Sequence, residues 1–202
     1  MKSIVEKYRI FLSRIAAVIC LFFLFRTKSY WESKDELVTS FLFLSGIILV
    51  AVASLGRMWC SLYIAGYKNK KLITKGPYSI CRNPLYFFSM LGLVGVGFST
   101  ETFTFPIVFI LLFSLYYTFV IKSEENRLRK KFGAAFEEYT EKVPAFFPNF
   151  STFEEPNTYI INPAVYRRHI FSALWFIWIV GIIQLIEGMK EIEFLTHLWS
   201  LY

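Results

Sequence analysis

Histidine and cysteine are scarce in this chain, two and three in 202 residues. Cys20, Cys60 and Cys81 are scattered without metal-ligand spacing. Cys20 falls inside an apolar run and the other two near the ends of such runs, which argues against disulfides and against a metal site. Charge is sparse at 18%, with 15 acids against 22 bases. No glycine-rich dinucleotide loop, internal repeat, low-complexity tract or long linker occurs, and no compact basic and aromatic module of the kind that binds nucleic acid. Too little water-soluble sequence remains for a conventional enzyme domain.

What fills the chain is apolar. Hydrophobic residues make up 55% of it, 23 of them Phe, and several runs approach the roughly 20 residues that cross a bilayer. The longest lack the charged face that a water-exposed helix requires. The expectation is an all-α, polytopic integral membrane protein with about five transmembrane helices: Ile10 to Phe25, Leu37 to Gly56, Pro84 to Ser99, Phe103 to Ile121 and Ile170 to Ile186. Residues 1–202 then form a single membrane domain. Arg26-Thr27-Lys28-Ser29-Tyr30-Trp31 offers no small-residue cleavage site after the first run, which therefore reads as a retained anchor. Arg14, inside that run, is expected to snorkel to the headgroups. Met58 to Tyr67 and Ile192 to Tyr202, which holds His197, read as interfacial segments.

Orientation follows from Lys and Arg, which are in excess in cytoplasmic loops. With the N-terminus inside, 18 of the 22 lie in inner segments. This predicts a multi-pass protein whose N-terminus and active site are cytoplasmic, and it assigns the net charge of +7 to contact with anionic membrane lipid rather than nucleic acid. Asn149-Phe150-Ser151, a glycosylation triplet, then lies on the wrong side for modification.

Two polar clusters interrupt the apolar sequence: Gly76-Pro77-Tyr78 … Arg82-Asn83-Pro84-Leu85-Tyr86, and Glu124-Glu125-Asn126-Arg127-Leu128. About 37 almost uncharged residues join them. Asn is a favoured N-cap and Pro a favoured first helical residue, so Asn83-Pro84 starts the third membrane helix. Its N–H groups, its positive dipole end and Arg82 suit a carboxylate or phosphate. Tyr78 and Tyr86 flank this point, placed to stack on a ligand or face a cation.

The third and fourth spans return on each other through a very short turn at Thr100 to Thr102, so the two clusters must meet at one end of a helical hairpin. Glu124 and Glu125 lie near the end of the fourth span, where the dipole favours Lys or Arg. Acids held against that preference point to a cationic partner. Gly133 stops the helix, and a short helix from Ala134 to Glu141 carries Phe136 and Tyr139 on one side.

Taken in order, Gly-Pro-Tyr, Arg-Asn-Pro-Leu-Tyr, the hairpin, Glu-Glu-x-x-Leu, Phe132-Gly133 … Phe136 … Tyr139 … Val143-Pro144 … Pro148 resembles isoprenylcysteine carboxyl methyltransferase and its relatives, the phospholipid N-methyltransferases. The likeness covers 73 residues, Gly76 to Pro148, a methyltransferase core followed by a C-terminal extension over 150–202. It implies S-adenosylmethionine as cofactor and a lipophilic acceptor entering from the bilayer. Carried over, the cofactor is held by Arg82, Asn83, Pro84, Tyr86, Glu124 and Glu125, with Tyr78 and Leu128 of the same motifs. The sequence departs from the family at Asn83, where His is usual, at Phe88, where Gly often stands, and at Phe136, where Tyr is common. Phe88 bears on the acceptor side, as do Arg167 and Arg168 if the last span folds back to bring them to an acidic lipid. His169 beside them reads as an anchor of that span.

Methyl transfer is a direct displacement, so positioning does most of the work. A carboxylate acceptor needs no base, whereas an amine or hydroxyl needs Glu125, Tyr139 or Tyr86 in that role. No metal is required. Two other classes share the pattern: a membrane reductase of sterol-reductase type using NADPH, and a non-catalytic lipid-binding protein. The sequence does not name the acceptor or the oligomeric state.

Overall fold

The computed structural model describes residues 15, 18–67, 70–192 and 199–202. Lys2, Lys7, Arg9, Arg14 and His197, together with most of the first half of the expected first span, lie outside the described residues. What is described is helical, as expected: α1 over 18–26, α2 Glu36–Ile64, α3 Pro77–Ile80, α4 Pro84–Phe98, α5 Thr104–Phe132, α6 Ala134–Lys142, α7 Pro163–Ala173 and α8 Trp175–Glu191. The exception is a parallel pair of three-residue strands, β1 Thr27–Ser29 and β2 Trp199–Leu201, in which Thr27 faces Trp199.

Among the described residues, three stretches are long and apolar enough to cross a membrane: α2, α5, and Pro163–Lys190 spanning α7 and α8. At 15 residues, α4 reaches only about 22 Å at 1.5 Å per residue, short of the roughly 30 Å hydrocarbon layer. Their outer faces explain where they belong. On α2, Leu37, Phe41, Leu44, Ile48, Val52 and Leu55 recur at helical spacing and are all exposed, as are Ile107, Leu111, Leu115 and Phe119 on α5. Apolar stripes of that length in water would drive association; in a bilayer they face their own solvent.

The residues 58–64 are the last two turns of α2 and not a separate interfacial segment. Nothing after Gly56 breaks the helix until Gly66, whose φ of +89 ends it in the left-handed conformation that glycine adopts without penalty. The expected span from Ile170 is likewise one apolar stretch, divided at Leu174, which follows α7 and precedes α8.

The chain forms two compact units. One gathers the described parts of Met1–Val50, Leu93–Val120 and Phe176–Tyr202; the other Ala51–Gly92 and Ile121–Trp175. In the first, Leu24, Val50, Val96, Phe176, Val180, Ile183 and Ile186 form the core. There α2 and α4 touch backbone to backbone: a Cβ on Gly46 would lie 2.7 Å from the Gly95 carbonyl. The turn between α4 and α5 is the short one expected, with Gly97 backed onto Pro106 so that a Cβ would meet the Pro106 nitrogen at 2.6 Å. The strand pair and the Tyr202 carbonyl, which accepts the Phe103 and Thr104 N–H groups, fasten the chain end to this turn.

The second unit holds both polar clusters. Phe136, Tyr139 and Val143 are its buried apolar centre, with Leu72, Leu128 and Phe132 packed against them.

Candidate functional site

The site begins at Gly76, where φ is +61 and ψ −131, a combination open essentially to glycine alone. A Cβ there would also lie 2.3 Å from the Tyr63 ring. The turn feeds the single turn of α3, then Cys81 in extended conformation, then Arg82 and Asn83 before α4. The following segment wraps this motif. The Gly76 N–H donates to the Glu154 carbonyl at 2.8 Å and the Asn149 N–H to the Ile80 carbonyl at 2.8 Å.

The Arg82 side chain donates to three residues. Its Nε donates to Glu125 Oε1 at 3.1 Å, and its Nη1 to the carbonyls of Thr140 and Val143 at 3.0 and 2.7 Å. Its backbone N–H reaches the Pro144 carbonyl at 2.9 Å. Asn83 precedes α4 as expected, and its carbonyl accepts the Tyr86 and Phe87 N–H groups. The side-chain amide does something else: it donates to Glu125 Oε1 and to the Ala145 carbonyl, both at 3.0 Å. Two acceptors fix which end of the amide carries the hydrogens. Cys81 donates to the Phe146 carbonyl at 2.9 Å, and burial pushes its thiol up to about 11.

The adjacent acid is placed differently. Glu124 Oε2 accepts the Tyr86 hydroxyl at 2.8 Å, and its Oε1 accepts Arg127 Nη2 at 3.1 Å. Tyr139 donates its hydroxyl to the Tyr78 carbonyl at 2.6 Å. Burial raises the Tyr78 and Tyr139 hydroxyls above the usual phenol range, so both keep their protons at neutral pH.

A cleft of about 120 Å³ opens here, lined by Tyr78, Arg82, Asn83, Pro84, Tyr86, Glu124, Leu128 and Tyr139, together with Ile64, Lys71, Leu72, Ile73 and Leu85. The structure thus gathers seven of the eight residues singled out for the cofactor. Glu125 stands behind the wall, bonded to Arg82 and Asn83. Phe88 lies away from the cleft lining with its ring against Gly56, 2.2 Å from where a Cβ would sit. Arg167 and Arg168 are exposed on α7 and are not among the lining residues either. Sequence reasoning missed Lys71, Leu72 and Ile73; the signal for them was an apolar pair inside an otherwise basic loop. The carbonyls of Thr140, Val143, Pro144 and Ala145 had no signal, because every residue carries one.

The fold and the cleft define an all-helical membrane protein with a half-apolar, charged cleft built where α4 begins and α5 runs past it. The chain belongs to the phospholipid methyltransferase family, whose model matches residues 37–135. It is 34% identical over 193 residues to the nickel-cobalt-cadmium resistance protein NccN of Alcaligenes xylosoxydans xylosoxydans, covering 96% of this chain and 89% of that protein. It is 35% identical over 182 residues to the cobalt-zinc-cadmium resistance protein CzcN of Cupriavidus metallidurans, covering 90% of this chain and 83% of that one. Alignments of that extent take in part of the C-terminal extension, for which the sequence motifs offered no counterpart. No solved structure matches the chain.

Proposed function

We propose that this protein is an S-adenosylmethionine-dependent methyltransferase that acts on a lipophilic acceptor reached from the bilayer, with its cleft on the cytoplasmic side. The observation that carries the reading is Glu124, a carboxylate facing the cleft while Tyr86 and Arg127 hold its two oxygens. The donor set fits the cofactor's chemistry. A sulfonium and an ammonium call for a carboxylate and aromatic faces, which Glu124, Tyr86 and Tyr78 supply. A carboxylate calls for a cation, for which Lys71 lines the same cleft. An adenine ring calls for apolar walls, here Ile64, Leu72, Ile73 and Leu128. When bound, S-adenosylmethionine supplies an electrophilic methyl group.

The chain's own residues divide the remaining work. Arg82, Asn83 and Glu125 brace the wall of the cleft, and Tyr78, Tyr86 and Glu124 face into it. For an amine or hydroxyl acceptor, Glu124 is the carboxylate among the cleft-lining residues to take the proton. A carboxylate acceptor needs no such transfer. The excess of Lys and Arg in the segments that carry the cleft supports the cytoplasmic assignment.

The names of the two relatives speak of resistance to nickel, cobalt, zinc and cadmium. We assign this chain's part in any such resistance to methylation of a membrane component. The carboxylate, aromatic and basic lining of the cleft supports this.

Calorimetry with S-adenosylmethionine in detergent tests the reading. The wild type is expected to bind, Glu124→Gln to weaken binding about tenfold or more, roughly 1.4 kcal/mol, and Arg129→Gln to leave it unchanged, since Arg129 pairs with Glu137 away from the lining residues. Absence of binding by the wild type overturns the proposal. Mass spectrometry of membrane lipids from cells with and without the protein then identifies the acceptor by a shift of one methyl.

A further inference from the structure

From Val143 to Tyr166 the chain holds no Lys or Arg, yet it carries three exposed aromatic rings close together, Phe147 at 72%, Phe150 at 73% and Phe153 at 46%. Clustered apolar surface of that kind marks contact with something apolar. Its surroundings say what covers it. The exposed stripe of α2 ends in Val52 and Leu55, and the next position at helical spacing is Trp59. The Phe153 ring lies 6.0 Å from the Trp59 ring. The phenylalanines thus prolong a face that already meets the bilayer. They do so where the apolar run of α2 gives way and where an indole favours the headgroup layer.

The same segment is tied along its length to the turn that builds the site. The Arg82 N–H donates to the Pro144 carbonyl at 2.9 Å, the Asn149 N–H to the Ile80 carbonyl at 2.8 Å and the Gly76 N–H to the Glu154 carbonyl at 2.8 Å. Between them, Cys81 donates to the Phe146 carbonyl at 2.9 Å and Thr152 Oγ1 to the Ser79 carbonyl at 2.7 Å. As the segment advances from Pro144 to Glu154 its partners run back from Arg82 to Gly76, so the two strips lie antiparallel. Asn149 Oδ1 accepts the Ser151 N–H at 3.1 Å and caps the 3-10 turn Phe150–Thr152. Phe146 packs its ring on Phe87 of α4 at 5.8 Å, while Phe147 beside it is exposed. One side of the segment holds the site and the other is left uncovered.

We propose that residues 144–154 form a strap whose Phe147, Phe150 and Phe153 enter the lipid leaflet on the cleft side, so that seating in the bilayer holds the Gly76–Asn83 turn in its binding shape. The partner is the boundary between headgroups and acyl chains, met through aromatic surface. Anionic headgroups do not recognise it, because the segment carries Glu154 beside Glu155 and no cation. The effect on the cofactor rests on the methyl-transfer reading; the seating in the leaflet does not.

Full-length wild type, Phe150→Ser and the double variants Phe147→Ser/Phe150→Ser and Phe147→Leu/Phe150→Leu are placed in phosphatidylcholine nanodiscs. A diazirine on the acyl chain maps lipid contact by mass spectrometry. Maleimide labelling of Cys81 reads the turn without the cofactor, and calorimetry reads S-adenosylmethionine binding. In the wild type, adducts are expected at residues 147–153 as on the exposed stripe of α2, with none on α6, and in equal yield when phosphatidylglycerol is added. The double Ser variant is expected to lose them, to label at Cys81 at least tenfold faster and to bind S-adenosylmethionine severalfold more weakly. Phe150→Ser should fall between, and the double Leu variant should stay near wild type. A wild type without adducts at 147–153, or with adducts there only when phosphatidylglycerol is present, overturns the proposal whatever the variants do, which keeps the test valid if the double Ser variant fails to fold. Unchanged Cys81 labelling in both Ser variants overturns it equally. Cys81 protection that depends on the two rings, without any S-adenosylmethionine binding, overturns the methyl-transfer reading and leaves the strap in place.

Discussion

Arg82 and Glu125, 43 residues apart, meet at 3.1 Å with side chains only 13% and 17% exposed. Glu125 lies about two turns before the end of α5, and the cation it called for is supplied by the chain itself. The pair is tied further by Asn83, whose amide shares the same carboxylate oxygen.

Breaking this pair from one side is expected to cost on the order of 3 kcal/mol, because it leaves a desolvated charge without its partner. Glu125→Gln and Arg82→Met should each lower the melting temperature in detergent by several degrees. The double variant should lose clearly less than the sum of the two. Strict additivity in that cycle would show that the pair is not coupled.

Gly76→Ala is expected to destabilise the protein severely. The φ of +61 costs about 1 to 3 kcal/mol for a residue with a Cβ, and the Tyr63 ring occupies the Cβ position besides. In a Tyr63→Ala background the steric part disappears while the backbone part stays, so the same substitution should cost less there. Thermal unfolding of the four proteins separates the two contributions.

Among helix glycines the outcome should split by location. Gly46→Ala and Gly95→Ala each drive a Cβ into the facing backbone and are expected to cost about 1 to 3 kcal/mol by overpacking. Gly181, on α8, has nothing within 4 Å of its Cβ position. Gly181→Ala should therefore be neutral or stabilise by up to about 1 kcal/mol through helix propensity. Melting temperatures that rank these variants otherwise would contradict the close approach of α2 and α4.

Alkaline stability should report on Cys81. Its thiol is raised by burial from 9.0 to about 11, so between those values the unfolded chain loses the proton while the folded one keeps it. Stability is thus intact below pH 9 and falls as pH rises toward 11, by on the order of 2 to 3 kcal/mol from this group. Cys81→Ala should show a shallower fall over the same window. A maleimide should label Cys81 only under conditions that unfold the protein.

Much of the architecture was legible because it rests on local or additive physics. Apolar run length announces the membrane helices, Pro84 marks the start of α4, and Gly133 with φ +52 marks the break between α5 and α6. The short turn at Thr100 to Thr102 made the meeting of the two polar clusters unavoidable. Asn83 shows the limit. Its type and place predict a cap, yet a primary amide has two ends, and the one carrying hydrogens is used across the fold on Glu125 and Ala145.

The sequence by itself determined the solvent, the helices and the inventory of charges brought to one cleft. Only tertiary structure decided which of two adjacent acids faces that cleft. Neighbouring residues on a helix point about 100° apart, so Glu124 and Glu125 cannot share a role. Packing of α5 beside Arg82 and Tyr86 turns Glu124 toward the open space and Glu125 into the wall. The same holds for the loop carbonyls that grip Arg82: they are chemically anonymous in sequence, and only the path of the backbone aims them.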